Sequence, residues 1–99
     1  MSTQPTDEST ATSRSYLAEV FVSLKPVVND PQGLAIRDGL RSLGYADVEA
    51  VRAGKYLRVT LQAGSSDDAH AQVTRMCDQL LTNPVMETYE ISITALADH

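Results

Sequence analysis

Cys77 and His70 are the nucleophile and the base that this chain could bring to covalent chemistry. On one helix they stand seven positions apart, about 10 Å along the axis at ~1.5 Å per residue. A nucleophile and its base work within hydrogen-bond reach, about 3 Å, so the pair lacks catalytic spacing. Cys77 falls in an apolar stripe instead, where a free cysteine behaves as a small hydrophobe. One Cys and two His at unrelated positions do not make the ligand spacing of a zinc site. Asp67 and Asp68 suit the first turn of a helix, where the dipole favours negative charge, better than they suit a hard-metal site. Neither Gly33 nor Gly54-Lys55 carries the glycine spacing of a nucleotide-binding loop. Lys55 could meet an anion, but a lone lysine in a turn is ordinarily solvated. The residues thus predict no catalytic, cofactor-binding or metal-ligating group and argue for a binding or assembly module.

The elements that must position these residues follow from periodicity. From Tyr16, the residues Ala18, Val20, Val22 and Leu24 alternate with Glu19, Phe21, Ser23 and Lys25, which is the pattern of a half-buried strand. Asp30-Pro31 then opens a helix over 31–43. Asp is a good N-cap, and Pro suits the first helical position. Ile36, Leu40 and Leu43 form its stripe, and Gly44 supplies the left-handed stop. Strands are expected over 48–52 and 56–63, with Gly54-Lys55 as a tight turn between them. Val48 and Val51 lie three apart, which strict alternation cannot bury together, so a bulge or bend is expected there. Ser65 with Asp68 resembles a capping box. It starts a second helix whose stripe is Ala69, Val73, Met76, Cys77 and Leu80. Asn83-Pro84 ends that helix, and a last strand covers 87–96 with Tyr89, Ile91 and Ile93 on one face.

The order is β-α-β-β-α-β. It predicts an α+β, two-layer sandwich of ferredoxin-like type, an antiparallel sheet with two helices on one face and the first and third strands in the middle. The uncovered face would show Phe21, Tyr56 and Arg58 among polar residues, a composition favoured at protein interfaces. Residues 1–15, rich in Ser and Thr, read as a disordered N-terminal tail. The domain is expected over 16–96.

The 99 residues carry a formal net charge of −5, which disfavours a nucleic-acid partner. The expected third strand, Tyr56-Leu57-Arg58-Val59, also lacks the glycine and paired aromatics of an RNA-recognition strand. No apolar run approaches the ~20 residues of a membrane span, and no basic-then-apolar leader begins the chain. A single cysteine excludes an internal disulfide and suits a reducing, cytoplasmic compartment.

Three segments in this order, Leu24 through Gly33 with Asp30-Pro31-Gln32-Gly33, Val51-Arg52-Ala53-Gly54-Lys55, and Leu80 through Ile91 with Asn83-Pro84-Val85, resemble the PurS family. PurS is the small subunit of phosphoribosylformylglycinamidine synthase in purine biosynthesis. The resemblance implies a non-catalytic, homodimeric or homotetrameric subunit that bridges a PurQ-like glutaminase and a PurL-like synthetase and assists ammonia transfer between them. It implies that ATP and Mg are used by the synthetase partner and that this chain binds no cofactor. It marks Asp30, Pro31, Gln32, Gly33, Gly54, Lys55, Asn83 and Pro84 as candidate subunit contacts. The alternative reading is an amino-acid-binding regulatory domain of ferredoxin-like fold.

Overall fold

The structure is a computed structural model that describes residues 13–97. Strand β1 (Arg14–Leu24) is central and pairs antiparallel with β2 (Gly54–Ala63) on one side and β3 (Glu87–Ala95) on the other, in the order β2-β1-β3. Alternation places Tyr16, Ala18, Val20 and Val22 on the inner face, all buried. Leu57, Val59 and Leu61 of β2 and Tyr89, Ile91 and Ile93 of β3 join them. Helix α2 (Ser66–Met76) covers this face. Ala69 sits against Tyr16 and Ala63, and Val73 and Cys77 against Ala18, Val20 and Val22. Each aliphatic side chain fully buried here contributes about 1.5–3 kcal/mol.

The chain is α+β with ferredoxin-like character, as the periodicity implies, and several expectations are corrected in detail. Strand β1 begins at Arg14, two residues before the alternation read from Tyr16. Arg14 and Ser15 are strand residues paired with Ala63 and Gln62, because β2 runs far enough to give them partners. The tail expectation for residues 1–12 lies outside the described residues. The strand expected over 48–52 does not form among the described residues, which leaves β2, the expected third strand, at an edge. Residues 43–53 instead return alongside α1 (Pro31–Ser42). The Arg41 Nε donates to the Val48 carbonyl at 2.8 Å. Lacking a strand to turn from, Gly54 and Lys55 open β2, paired with Ser23 and Val22.

Helix α1 starts and stops as expected. Asp30 caps it, and Gly44 (φ 106°) closes it in a Schellman arrangement, with Gly44 N–H donating to Arg41 and Tyr45 N–H to Leu40 at 3.0 Å each. Its stripe does not reach the sheet, however. Among the described residues, the core clusters include none from α1, and Leu34, Ile36, Leu43 and Tyr45 are exposed.

Helix α2 begins at a modified capping box. Ser65 Oγ accepts from Asp68 N–H at 3.0 Å, while the Asp68 carboxylate accepts from Gly64 N–H at 3.2 Å. Its C-terminus widens into a π-helical turn (Cys77–Leu81) closed by Thr82 N–H on the Cys77 carbonyl at 3.0 Å. The wider turn shifts the stripe by one position. Leu80, expected inside, is 83% exposed, and Leu81 packs on the core in its place.

A Cβ added to Gly54 would lie 2.3 Å from the Val22 carbonyl oxygen. Gly54→Ala is therefore expected to force the β1–β2 ladder apart and cost about 1–3 kcal/mol, read as a lower urea midpoint at unchanged slope.

Candidate functional site

At one end of the sheet the apolar inner row turns polar. Lys55 continues the inner positions of Leu57, Val59 and Leu61 on β2, and Glu87 continues those of Tyr89, Ile91 and Ile93 on β3. The two flank Val22 and Leu24 of β1, and Lys55 Nζ lies 4.0 Å from Glu87 Oε2. With Asp30, Gln32, Ala53 and Gly54 they line an open cleft of about 290 Å³.

Asp30 is the buried charge at this cleft, 4% exposed. Its Oδ1 accepts from Gly33 N–H at 2.9 Å and its Oδ2 from Ala53 N–H at 2.7 Å. The N–H groups of Gly33 and Ala53, with the Arg52 guanidinium nearby, outweigh desolvation and hold the Asp30 carboxyl below the ordinary aspartate value. Arg52 donates to the Lys25 and Val28 carbonyls at 3.0 and 2.9 Å. Gly33 approaches the returning chain so closely that a Cβ there would lie 2.2 Å from the Val51 carbonyl oxygen. Opposite, Asn83 shapes the turn into β3. Its Oδ1 accepts from Val85 N–H at 3.0 Å, and its carbonyl accepts from Glu87 N–H at 2.8 Å. Glu87 Oε1 in turn accepts from Asn83 N–H at 2.7 Å.

The structure thus gathers the candidate contacts at one end of the molecule. Asp30, Gln32, Gly54 and Lys55 line the cleft. Pro31 and Gly33 lie beside it in the first turn of α1. Asn83 reaches it through Glu87, and Pro84 follows in the same turn. Sequence reasoning missed Glu87 and Arg52 as members. For Glu87 the signal was a charged residue at an inner position of an otherwise apolar alternation.

Away from the cleft, Cys77 is fully buried in the core. Desolvation, and then Asp78, raise its thiol above the ordinary value. His70 is exposed and meets Thr74 rather than Cys77. On the uncovered sheet face Phe21 and Tyr56 stack with centroids 5.2 Å apart, and Tyr56 donates to Glu19.

Fold and site together define a small α+β module in which Asp30, Arg52 and Glu87 bind backbone groups at one end of the sheet. The comparisons make the class specific. The family model for PurS, phosphoribosylformylglycinamidine (FGAM) synthase, matches residues 17–95, and the chain belongs to that family. It is 49% identical to the phosphoribosylformylglycinamidine synthase subunit PurS of Synechocystis sp., over 85% of this chain and 84% of that one. The crystal structure of Methanocaldococcus jannaschii PurS, one of the subunits of formylglycinamide ribonucleotide amidotransferase in the purine biosynthetic pathway, superposes with a TM-score of 0.75 at 32% identity, covering 83% of this chain and 99% of that one. A chain of the PurLQS structure from Thermotoga maritima matches with a TM-score of 0.75 at 30% identity, covering 81% and 98%.

Two outcomes are expected. Because the Asp30 carboxyl titrates lower folded than unfolded, its stabilisation is present above the unfolded aspartate value and is lost as pH falls through the folded one. Asp30→Asn should flatten the acid limb of the stability–pH curve, measured by urea unfolding between neutral and acid pH. Cys77 should react with a thiol reagent only at the rate of opening, and labelling should reach the free-thiol rate when the chain is unfolded in denaturant.

Proposed function

We propose that this chain is the PurS subunit of a phosphoribosylformylglycinamidine synthase, a non-catalytic adaptor that bridges a PurL-like synthetase and a PurQ-like glutaminase in the cytoplasm. The complex converts formylglycinamide ribonucleotide, ATP and glutamine to formylglycinamidine ribonucleotide. ATP and Mg are used on the synthetase, glutamine is hydrolysed on the glutaminase, and this chain binds no cofactor of its own. The single observation that carries the reading is the family match across residues 17–95. It favours the adaptor over an amino-acid-binding regulatory domain. The physical role follows from the reagent. Ammonia released into water is protonated and lost, so a closed path between the two active sites protects it. Among the described residues no helix is long and apolar enough to cross a membrane.

The adaptor works as a homodimer or homotetramer. Leu34, Ile36, Leu43 and Tyr45 expose apolar surface along α1 and its return, and among the described residues β2 leaves an unpaired edge. Both are liabilities that association removes. Ile36→Asp should weaken self-association on the order of tenfold or more, seen by sedimentation velocity, while the unfolding midpoint of the separated chain stays near the parent value.

The decisive experiment mixes the chain with PurL- and PurQ-like subunits, with glutamine and ADP for co-purification and with glutamine, ATP and formylglycinamide ribonucleotide for turnover. Co-purification and glutamine-dependent synthesis only in the full mixture are expected. Turnover by this chain alone, or full activity of the partners without it, would overturn the proposal.

A further inference from the structure

Helix α1 and its return segment form an arm that gives no side chain to either core cluster. Its attachment is at the base, where two side chains cross between the outgoing and returning strands of the chain. Asp30, at the start of α1, holds Gly33 N–H with one oxygen and reaches across to Ala53 N–H with the other, at 2.9 and 2.7 Å. Arg52, on the returning side, reaches back to the carbonyls of Lys25 and Val28 on the outgoing side, at 3.0 and 2.9 Å. Gly33 lets the two sides approach, with its Cβ position 2.2 Å from the Val51 carbonyl oxygen.

We infer that Asp30 and Arg52 are positioning residues, a crossed clamp that sets the direction in which the α1 arm leaves the sheet and so where its apolar side chains meet a second copy of the chain. The last step rests on the self-association reading above; the clamp itself does not. The chemistry of each residue suits the task. Two N–H donors converge on Asp30, and only a carboxylate offers an acceptor oxygen to each. Asparagine caps a helix about as well as aspartate, but it has a single acceptor oxygen, and its amide N–H₂ must face the other donor. Arg52 spans two carbonyls from a single guanidinium nitrogen, Nη2, carried at the end of a side chain longer than glutamine's, so glutamine has the two N–H groups but not the reach. With Asp30 4% exposed, water does not readily replace a lost bond at that carboxylate.

Asp30→Asn therefore separates clamping from capping, and Arg52→Gln tests the clamp from the other side. Hydrogen exchange on the full chain is the measurement. In both variants, peptides within 31–52 should exchange roughly fivefold faster, the factor implied by one lost hydrogen bond. Peptides of β1, β3 and α2 should keep parent rates, and far-UV circular dichroism should keep the α1 signal. Unchanged exchange in 31–52, or a uniform acceleration over the whole chain, would overturn the clamp. Sedimentation velocity on the same samples reports self-association separately. A parent chain that stays monomeric defeats the self-association reading, while the exchange data still decide the clamp.

Discussion

Three strands present a long inner row of side chains, and one helix covers only part of it. That constraint organises the rest of the molecule. Helix α2 lies over the row from Tyr16 and Ala63, beneath Ala69, to Val22, beneath Cys77. The π-helical turn after Met76 extends the cover by turning Leu81 inward. Beyond Val22 the cover ends, and the inner positions become Lys55 and Glu87. Aliphatic residues there would expose an apolar strip. A lysine and a glutamate can stay hydrated at one end while their stems lie on the sheet. The cleft is thus the place where burial stops, and the fold edges it with groups that tolerate both environments.

The other helix meets the same limit from the opposite direction. A fourth strand over 48–52 would widen the sheet and give α1 a surface to cover. Instead that segment lies against α1, tied by Arg41 to Val48 and by the close approach of Gly33 to Val51. Sheet and arm are then separate layers joined at Asp30 and Arg52. Local hydrogen bonds close α1 at both ends through its cap and Schellman arrangement, and its one described support along its length is the return segment. Its apolar side chains remain available for contact outside the chain.

Much of this was legible in the residues. Strict alternation located the faces of β1, β2 and β3, because a half-buried strand has no freedom in which side it shows. Asp30-Pro31 and Gly44 located α1 to within a residue, because cap chemistry is local. What periodicity could not reveal was partnership. Val48 and Val51 mark a segment that needs a neighbour, but their spacing does not say whether a strand or a helix supplies it. The stripe of α1 reads as core-facing by the same rule that correctly placed Ala69, Val73 and Cys77, yet the surface it fits is absent from the described residues of this chain. Leu80 was misplaced because a π-helical turn inserts one residue into the 3.6-residue count, and nothing in Cys77 through Leu81 announces that insertion. At the cleft, Lys55 and Asn83 were found through motif resemblance. Glu87 was readable from alternation, and Arg52 stood inside the Val51–Lys55 segment without any local sign that it reaches back to Lys25 and Val28.

The polar groups around the cleft are largely spent on holding backbone. Both Asp30 oxygens are committed to backbone N–H groups, and Glu87 Oε1 is committed to Asn83 N–H. Arg52 donates to two carbonyls rather than toward the cleft. Groups used in this way stiffen the ends of elements and hold loops in register, which is what a docking surface requires, since ordering a loop at the moment of binding consumes affinity. A subunit built in this way offers its partners a surface already in place, so little ordering cost is left for the moment of docking.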